Sequence, residues 1–339
     1  MRHEPPGAPS HFTGTAFDID GGLFSRPPKE TSMNEPDLPG TAQIDFAVEA
    51  IEPIRLNASG DLAGRDLMSP FVWRLETGGL GLLVRAVPRA GEPASDTGAI
   101  WYGTSSDGLT FAMDEQPVIA PGPGPLDIGG CEDPTVVLSQ GGFLVYYTGV
   151  DASMASGQML YASGPDVHSM EKKGIALASS KTQGNTKEAT VELTEAGKWT
   201  LFYEYARDQA SLIGLARGDG PAGPWHEQPQ PFAPRPDGWD SWHLSTGPML
   251  HNGAGGPVMF YNGATRDARW RIGWIAFDKD CTRVVDRCIE PLIVPPPQQD
   301  RSASDIAFAA SVVEAGDVAH LYYSLADRML ERAVIRRFG

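Results

Sequence analysis

The stretch GGFLVYYTGVD, residues 141–151, decides the fold. Two glycines turn the chain. The large apolar and aromatic residues Phe143–Tyr147 follow, and polar Thr148 and Asp151 end the segment. The plan recurs as GGLGLLVRAV from Gly78, GKWTLFYEYARD from Gly197, GGPVMFYNGATRD from Gly255 and GDVAHLYYSLADR from Gly316. The five starts lie 56 to 63 residues apart, so one unit of about 60 residues fills most of the chain.

The flanks repeat as well. SPFVWRL, DPTVVLS, ATVELT, GPMLH and AFAASVVE precede the five segments, and GAIWYGTS, GQMLYAS, SLIGLARG, RIGWIAFD and ERAVIRR follow them. Each unit therefore reads strand, glycine turn, strand, loop, strand, with room for a fourth strand. No stretch keeps a 3.6-residue apolar period for four turns. Five strand-rich units at this spacing predict an all-β, five-bladed β-propeller. Residues 1–40, rich in Pro, Gly and Ser, read as an irregular N-terminal arm, and 41–339 as the propeller domain.

Composition narrows the function. The 339 residues carry a formal net charge of −16, which argues against nucleic acid and against an anionic membrane surface as partners. A neutral saccharide meets no such obstacle. The cysteines Cys131, Cys281 and Cys288 form neither a CxxC pair nor a cluster with histidines, and read as free buried thiols. No P-loop, no G-x-G-x-x-G after a strand and no metal-ligand spacing occurs, so no cofactor and no metal is expected. The N-terminus has no apolar signal region, and no run of about 18 apolar residues exists, which points to the cytoplasm. Oligomeric state is not legible.

In a propeller the first strands of all blades start around one mouth, and second strands end beside them. This collects Asp66 and Ser69, Glu132 and Asp133, Lys187 and Glu188, His243 and Thr246, and Asp305 from the first strands. From the second strands come Arg85, Thr148 and Asp151, Glu204 and Arg207, Asn262 and Arg266, and Ser324 and Asp327. A funnel rich in Asp, Glu and Arg suits a sugar. Each residue also has a plainer reading: Asp133 as a turn before a strand, Glu204 and Arg207 as an ion pair, and the aromatics Trp239, Trp242, Trp270 and Tyr261 as core.

Over about residues 60–330 the chain resembles glycoside hydrolase family 130, five-bladed propellers acting on β-mannosides as phosphorylases or hydrolases. GCEDPTVV resembles the family's V-E-D-P-R element and LLVRA its L-L-Y-R-A. WDSWHLSTGPML resembles W-D-S…G-P-P-I, WRIGWIAFD resembles Y-R-x-G-A-A-L-L-D, and DIAFAASVVEAGDVAHLYYSLAD resembles the closing D-x-x-F…L-Y-Y-G-A-A-D. The resemblance makes Asp133 the acid that protonates the glycosidic oxygen through a mannose hydroxyl, and Arg85 a contact of the cleaved subsite. It also brings Asp240, within the W-D-S element, into the substrate-binding set. There it joins Arg85, Ser69, Asp66, Glu132, Asp151, Arg207, His243, Asn262, Asp305 and Asp327.

Three positions depart from the phosphorylase pattern. Thr135 stands for the Arg of E-D-P-R, Glu204 for the Arg of Y-Y-M-L-H-R, and Asn262 for the His of I-Y-H-G. Carboxylate in place of Arg suits a base that activates water. Hydrolysis is therefore the expectation, with Glu204 and then Glu188 as candidate base. The alternatives are a phosphorylase on the same fold and a non-catalytic sugar-binding propeller. A further one is a five-bladed glycosidase of another family, using three carboxylates drawn from Asp66, Asp133 and Glu188 or Glu204.

Overall fold

The computed structural model describes residues 44–338 apart from 90, 93–95, 140–141, 195, 252–255 and 298–304. The expected arm, residues 1–40, lies outside the described residues. Every repeat is a blade. Blade 1 is Asp66–Arg74, Leu80–Val87, Ala99–Ser105 and Thr110–Met113, with Arg55–Asn57 added in parallel at its edge. Blade 2 is Gly130–Ser139, Gly142–Val150, Gly157–Gly164 and Glu171–Leu177. Blade 3 is Gly184–Leu193, Trp199–Arg207, Ala210–Gly218 and His226–Gln228. In blade 4 the inner strand is broken into His243–Ser245 and Met249–Leu250, and its partners are split to match. Blade 5 is Ala307–Ala315, Val318–Leu325 and Met329–Phe338, closed on the outside by Asp45–Pro53.

That closing strand runs antiparallel to the last one, Asp45 opposite Phe338 and Pro53 opposite Glu331. The two ends of the described chain thus share one sheet. The repeat pattern does not announce the strand, because its partner lies at the other end of the sequence. The turn glycines are legible for a physical reason: Gly78, Gly142, Gly197 and Gly316 all have positive φ, a conformation that side chains disfavour.

Cores lie between blades. Trp73, Leu83, Tyr102, Val145 and Tyr147 join blades 1 and 2, and Tyr146, Leu201, Tyr203 and Ala216 join blades 2 and 3. A larger cluster including Phe202, Phe260, Trp274, Leu321 and Tyr323 spans blades 3, 4 and 5, and Val72, Leu82, Tyr322 and Leu330 join blade 5 to blade 1. All three cysteines are buried free thiols, and burial pushes each thiol up.

Around the channel, hydrogen bonds tie neighbouring inner strands into a ring. Ser69 donates to Asp133 at 2.6 Å, Thr135 to the Ala189 carbonyl at 2.7 Å, and Thr190 to the Gly247 carbonyl at 2.9 Å. The Asn262 amide donates to the Thr246 carbonyl at 2.7 Å and accepts from the Ala309 backbone at 2.7 Å. Ser311 closes the circuit, donating to the Pro70 carbonyl at 2.7 Å and accepting from the Val72 amide at 2.8 Å.

Candidate active site

One cross-strand rung recurs in every blade at the level that the strand order assigns to the mouth. In blade order its cross-strand pairs are Met68 with Arg85, Glu132 with Thr148, Lys187 with Glu204, Ser245 with Asn262, and Phe308 with Ser324. Just past this rung the inner strand breaks register in blades 1, 2 and 3, slips again in blade 5, and is interrupted in blade 4. Such bulges bend a strand and re-aim its side chains. The residues at the bulges of the first three blades are Ser69, Asp133 and Glu188, with φ of 51°, 49° and 52°. Non-glycine residues seldom adopt this conformation, and strain of this kind concentrates at functional sites. The sequence SP, DP or EA after the rung is the local signature.

These residues meet. Asp133, 6% exposed, accepts from Ser69 and lies 3.2 Å from Arg85 Nη1. Arg85 Nη2 holds Glu132 at 2.6 Å, and its Nε and Nη2 donate to the Thr97 carbonyl at 3.0 and 2.7 Å. Glu188 hydrogen-bonds Asp133 from the next blade, and its carbonyl accepts from Thr246. Lys187 Nζ lies 3.5 Å from Glu204. Asp133, Glu188, Ser69, Thr135, Thr190, Thr246 and Ser311 line a cavity of about 120 Å³ along the channel. A smaller cavity of about 70 Å³ opens beside it, lined by Arg85, Glu132, Thr148, Asn185 and Lys187.

The electrostatics separate the carboxyls. Burial works against ionisation of Asp133. Arg85, Lys187 and hydrogen bonds from Ser69 and Glu188 outweigh it and hold Asp133 below the ordinary aspartate value. Burial, with the Asp133 charge alongside, pushes Glu188 well above the glutamate range, and burial raises Glu132 against the pull of Arg85. Arg85 and Lys187 are kept charged: their burial is outweighed by Glu132 and Asp133 for the first, and by Glu204 and Asp133 for the second.

Three side-chain atoms on the mouth rung are buried with no hydrogen-bond partner among the described residues: Thr148 Oγ1, Glu204 Oε2 and Ser245 Oγ. Buried polar atoms are nearly always satisfied. Three exceptions on adjacent blades are candidates to receive sugar hydroxyls or an attacking group. Ser245 is absent from the sequence-derived set, although its pairing opposite Asn262 would have found it.

Other expected ligands are used elsewhere. Asp240, fully buried, accepts from Tyr261 at 2.6 Å and pairs with Arg287 at 2.6 Å and Arg235 at 3.0 Å, which makes it a scaffold residue of blade 4. Asn262, also fully buried, is spent on the bond between blades 4 and 5. Replacing Asn262 with Ala should cost about 2–3 kcal/mol, because it strands the Ala309 amide and the Thr246 carbonyl. Thermal melting of the variant measures this. Asp151 accepts from the Ser153 amide at 3.0 Å and hydroxyl at 2.6 Å, a local turn that also lowers its pKa. Asp66 faces Arg328 at 4.0 Å, and Asp305 holds Arg269 at 2.5 Å, each with an arginine that is partly exposed.

Arg207 packs over Tyr205 at 5.6 Å, and Asp327 is close enough to act on Arg85. His243 is buried, its Nδ1 accepting from the Ser211 amide at 3.1 Å, and burial lowers its pKa. Trp239 stacks on Tyr261 at 5.3 Å, and Trp270 packs on His243 and Phe308. Trp242 is half-buried, with Arg266 over its ring at 4.6 Å. Thr135, the supposed relic of a phosphate ligand, bonds blade 2 to blade 3. Among the described residues no cluster of three or more His, Cys, Asp or Glu is placed to hold a metal, and no helix is long and apolar enough to cross a membrane.

The model of glycoside hydrolase family 130, described as β-1,4-mannooligosaccharide phosphorylase, matches residues 87–336. The chain belongs to glycoside hydrolase family 130. Two curated relatives from Thermoanaerobacter sp. (strain X514) are similar to it. A 1,2-β-oligomannan phosphorylase is 22% identical over 69% of this chain and 77% of its own length. A β-1,2-mannobiose phosphorylase is 25% identical over 70% and 77%.

Solved structures agree on the fold of this family 130 member. The Listeria innocua β-1,2-mannobiose phosphorylase, in complex with β-1,2-mannobiose, has a TM-score of 0.69. It is 19% identical, with 87% of this chain and 97% of that one covered. A second structure has a TM-score of 0.68 at 22% identity, with 89% and 96% covered. Its description states that this family of mannoside phosphorylases contains glycoside hydrolases that target β-1,2-mannosidic linkages in Candida mannan. The family resemblance drawn from the motifs therefore holds. On the attacking group, the curated names side with phosphate rather than with the water expected from sequence.

Proposed function

We propose that this protein cleaves β-mannosidic bonds in short mannosides with inversion at C1, Asp133 being the acid and water, activated by Glu204, the attacking group. One observation carries the choice of water. Glu204 is 3% exposed on the mouth rung, one oxygen near Lys187 and the other without a partner among the described residues. That second oxygen suits a water that must lose a proton as it attacks. A phosphate dianion would instead meet four carboxyl groups (Glu132, Asp133, Glu188, Glu204) whose nearest cations, Arg85 and Lys187, are already paired.

In the forward step the glycosidic oxygen takes a proton and the electron pair of its bond to C1. Water forms the new bond to C1 from the opposite face and yields its proton to Glu204. Arg85, fixed by Glu132 and the Thr97 carbonyl, orients both Asp133 and the sugar beside it. Thr148 and Ser245 supply sugar hydroxyls with partners.

Phosphorolysis is the second reading, favoured by the activities of the curated relatives. Arg207 and Arg266 would then hold the phosphate. β-1,2- and β-1,4-mannobiose incubated with and without inorganic phosphate decide the matter. Mannose released at equal rate in both, with Glu204→Ala lowering it about 100-fold or more, is the expected result. Mannose 1-phosphate formed only with phosphate would replace water by phosphate, and no cleavage of either disaccharide would remove the mannoside assignment.

A further inference from the structure

Two acidic side chains occupy equivalent bulges in adjacent blades and touch. Asp133 and Glu188 share the same left-handed backbone, the same place one residue past the rung, and one hydrogen bond. Both line the channel cavity. Two carboxyl groups in such contact cannot both carry charge without strong repulsion, so they bind one proton between them and titrate as a pair.

We propose that Asp133 and Glu188 form a single acid, in which Glu188 is a positioning residue. It holds the shared proton when the site is empty and passes it to Asp133, which then protonates the leaving group. This rests on Asp133 being the acid and goes beyond it, because it gives Glu188 a donor's role instead of a base's.

The surroundings support the division. Asp133 is faced by Arg85, Lys187 and the Ser69 hydroxyl, which favour its ionised form, and by Glu132, which together with burial opposes it. Glu188 is faced by Asp133 and Glu204, which favour its neutral form, and by Lys187, which opposes it. Packed against the pair, blade 4 presents Thr246 and Gly247, and blade 5 presents Ala309, Ala310 and Ser311, none of them charged. His243 acts on Glu204 and Lys187 and is itself biased neutral by burial. Asp327 acts through Arg85.

Atoms and charges balance. Before the step the pair carries one proton and one negative charge. During it the O–H bond of Glu188 breaks and its proton forms an O–H bond on Asp133, and that bond breaks in turn as the same proton moves to the glycosidic oxygen. Afterwards the pair is one proton short, and the added negative charge is offset by Arg85 and Lys187. The proton that water gave to Glu204, or one from solvent, restores the pair.

The test is Glu188→Gln, which keeps a hydrogen-bond donor to Asp133 but no transferable proton. In that variant Asp133 keeps Arg85, Lys187 and the Ser69 hydroxyl, which favour its charge against burial and the neighbouring Glu132. Its protonated form should therefore be scarce at neutral pH. For β-1,2-mannobiose, kcat should fall about 100-fold at pH 7, with the descending limb of the pH profile moved acid by about two units or more. For 2,4-dinitrophenyl β-mannoside, whose leaving group needs no proton, the loss should stay within about tenfold. Equal losses on both substrates, or an unmoved limb, would show a merely structural role and overturn the proposal.

Infrared titration adds a readout independent of turnover. The wild type should show a protonated carboxyl band at pH 7 that Glu188→Gln removes. If no band is lost, the shared proton does not exist. Glu188→Asp, keeping the acid but shortening it, should restore part of the pH profile. A Glu188→Asp profile as displaced as that of Glu188→Gln also overturns the pair.

Discussion

Asp133→Asn should lower kcat/KM for β-1,2-mannobiose about 1,000-fold while leaving the fold intact. The substitution preserves shape and leaves Ser69 an oxygen to bond. It removes the ability to pass a proton together with one negative charge, and general acid catalysis is worth about 10² to 10⁴ in rate. The neighbours tolerate the lost charge. Arg85 keeps Glu132 at 2.6 Å and the Thr97 carbonyl at 2.7 Å, so no buried cation is stranded. Loss should shrink on a dinitrophenyl mannoside, whose leaving oxygen departs unprotonated. Steady-state kinetics on both substrates, with melting curves as the control for folding, make the check. A variant that keeps a tenth of wild-type activity on the disaccharide would remove Asp133 from the acid's role.

The largest effect on stability is expected from Asp240→Ala. Asp240 neutralises Arg287, whose side chain is 3% exposed, and also binds Arg235 and Tyr261. Truncating one member of a buried ion pair leaves its partner uncompensated, at a cost of about 3–5 kcal/mol. For a chain of this size that is a fall in melting temperature of roughly 10 °C.

The pH dependence has a definite sign. Burial opposes the Asp240 charge, but Arg287 and hydrogen bonds from Arg235 and Tyr261 hold its pKa below the ordinary aspartate value. A depressed carboxyl contributes fully above its unfolded value, about 3.9, and loses the contribution as pH falls through the folded one. The gap between wild type and variant should thus be constant from pH 8 to 5 and narrow below about pH 4. A variant melting within 2 °C of wild type at pH 7 would refute the scaffold assignment. Activity measured at low temperature should survive, since Asp240 touches none of the mouth-rung residues described above.

How far the sequence could be read depends on what each residue does. Blades were legible because glycine turns followed by runs of large apolar and aromatic residues recur every 56 to 63 residues, and each blade needs both. The mouth was legible because strand pairing converts sequence position into a rung. Glu132, Asp133, Glu188, Glu204 and Arg85 meet for that reason. Asp240, Asn262 and Asp151 carry the same kinds of side chain near the same mouth, and they are spent on Arg287, Ala309 and Ser153 respectively. Position along a strand does not reveal which partner consumes a polar group. Thr135 teaches the same lesson. A missing arginine reads as a missing ligand, whereas the threonine has its own task, joining two blades beneath the acid.

The strand Asp45–Pro53, sealed against Met329–Phe338, sets the order in which the molecule can be finished. During synthesis blades 1 to 4 can assemble from neighbouring segments as they emerge. The fifth cannot, because its outer strand precedes blade 1 in the chain and its core strands follow blade 4. The early segment must wait, unpaired, until the ribosome has delivered Met329–Phe338. Closing so long a loop is entropically slow. The waiting interval exposes a strand edge to other chains. Aggregation of nascent protein, and any need for a chaperone, should therefore concentrate on this seam rather than on the catalytic mouth.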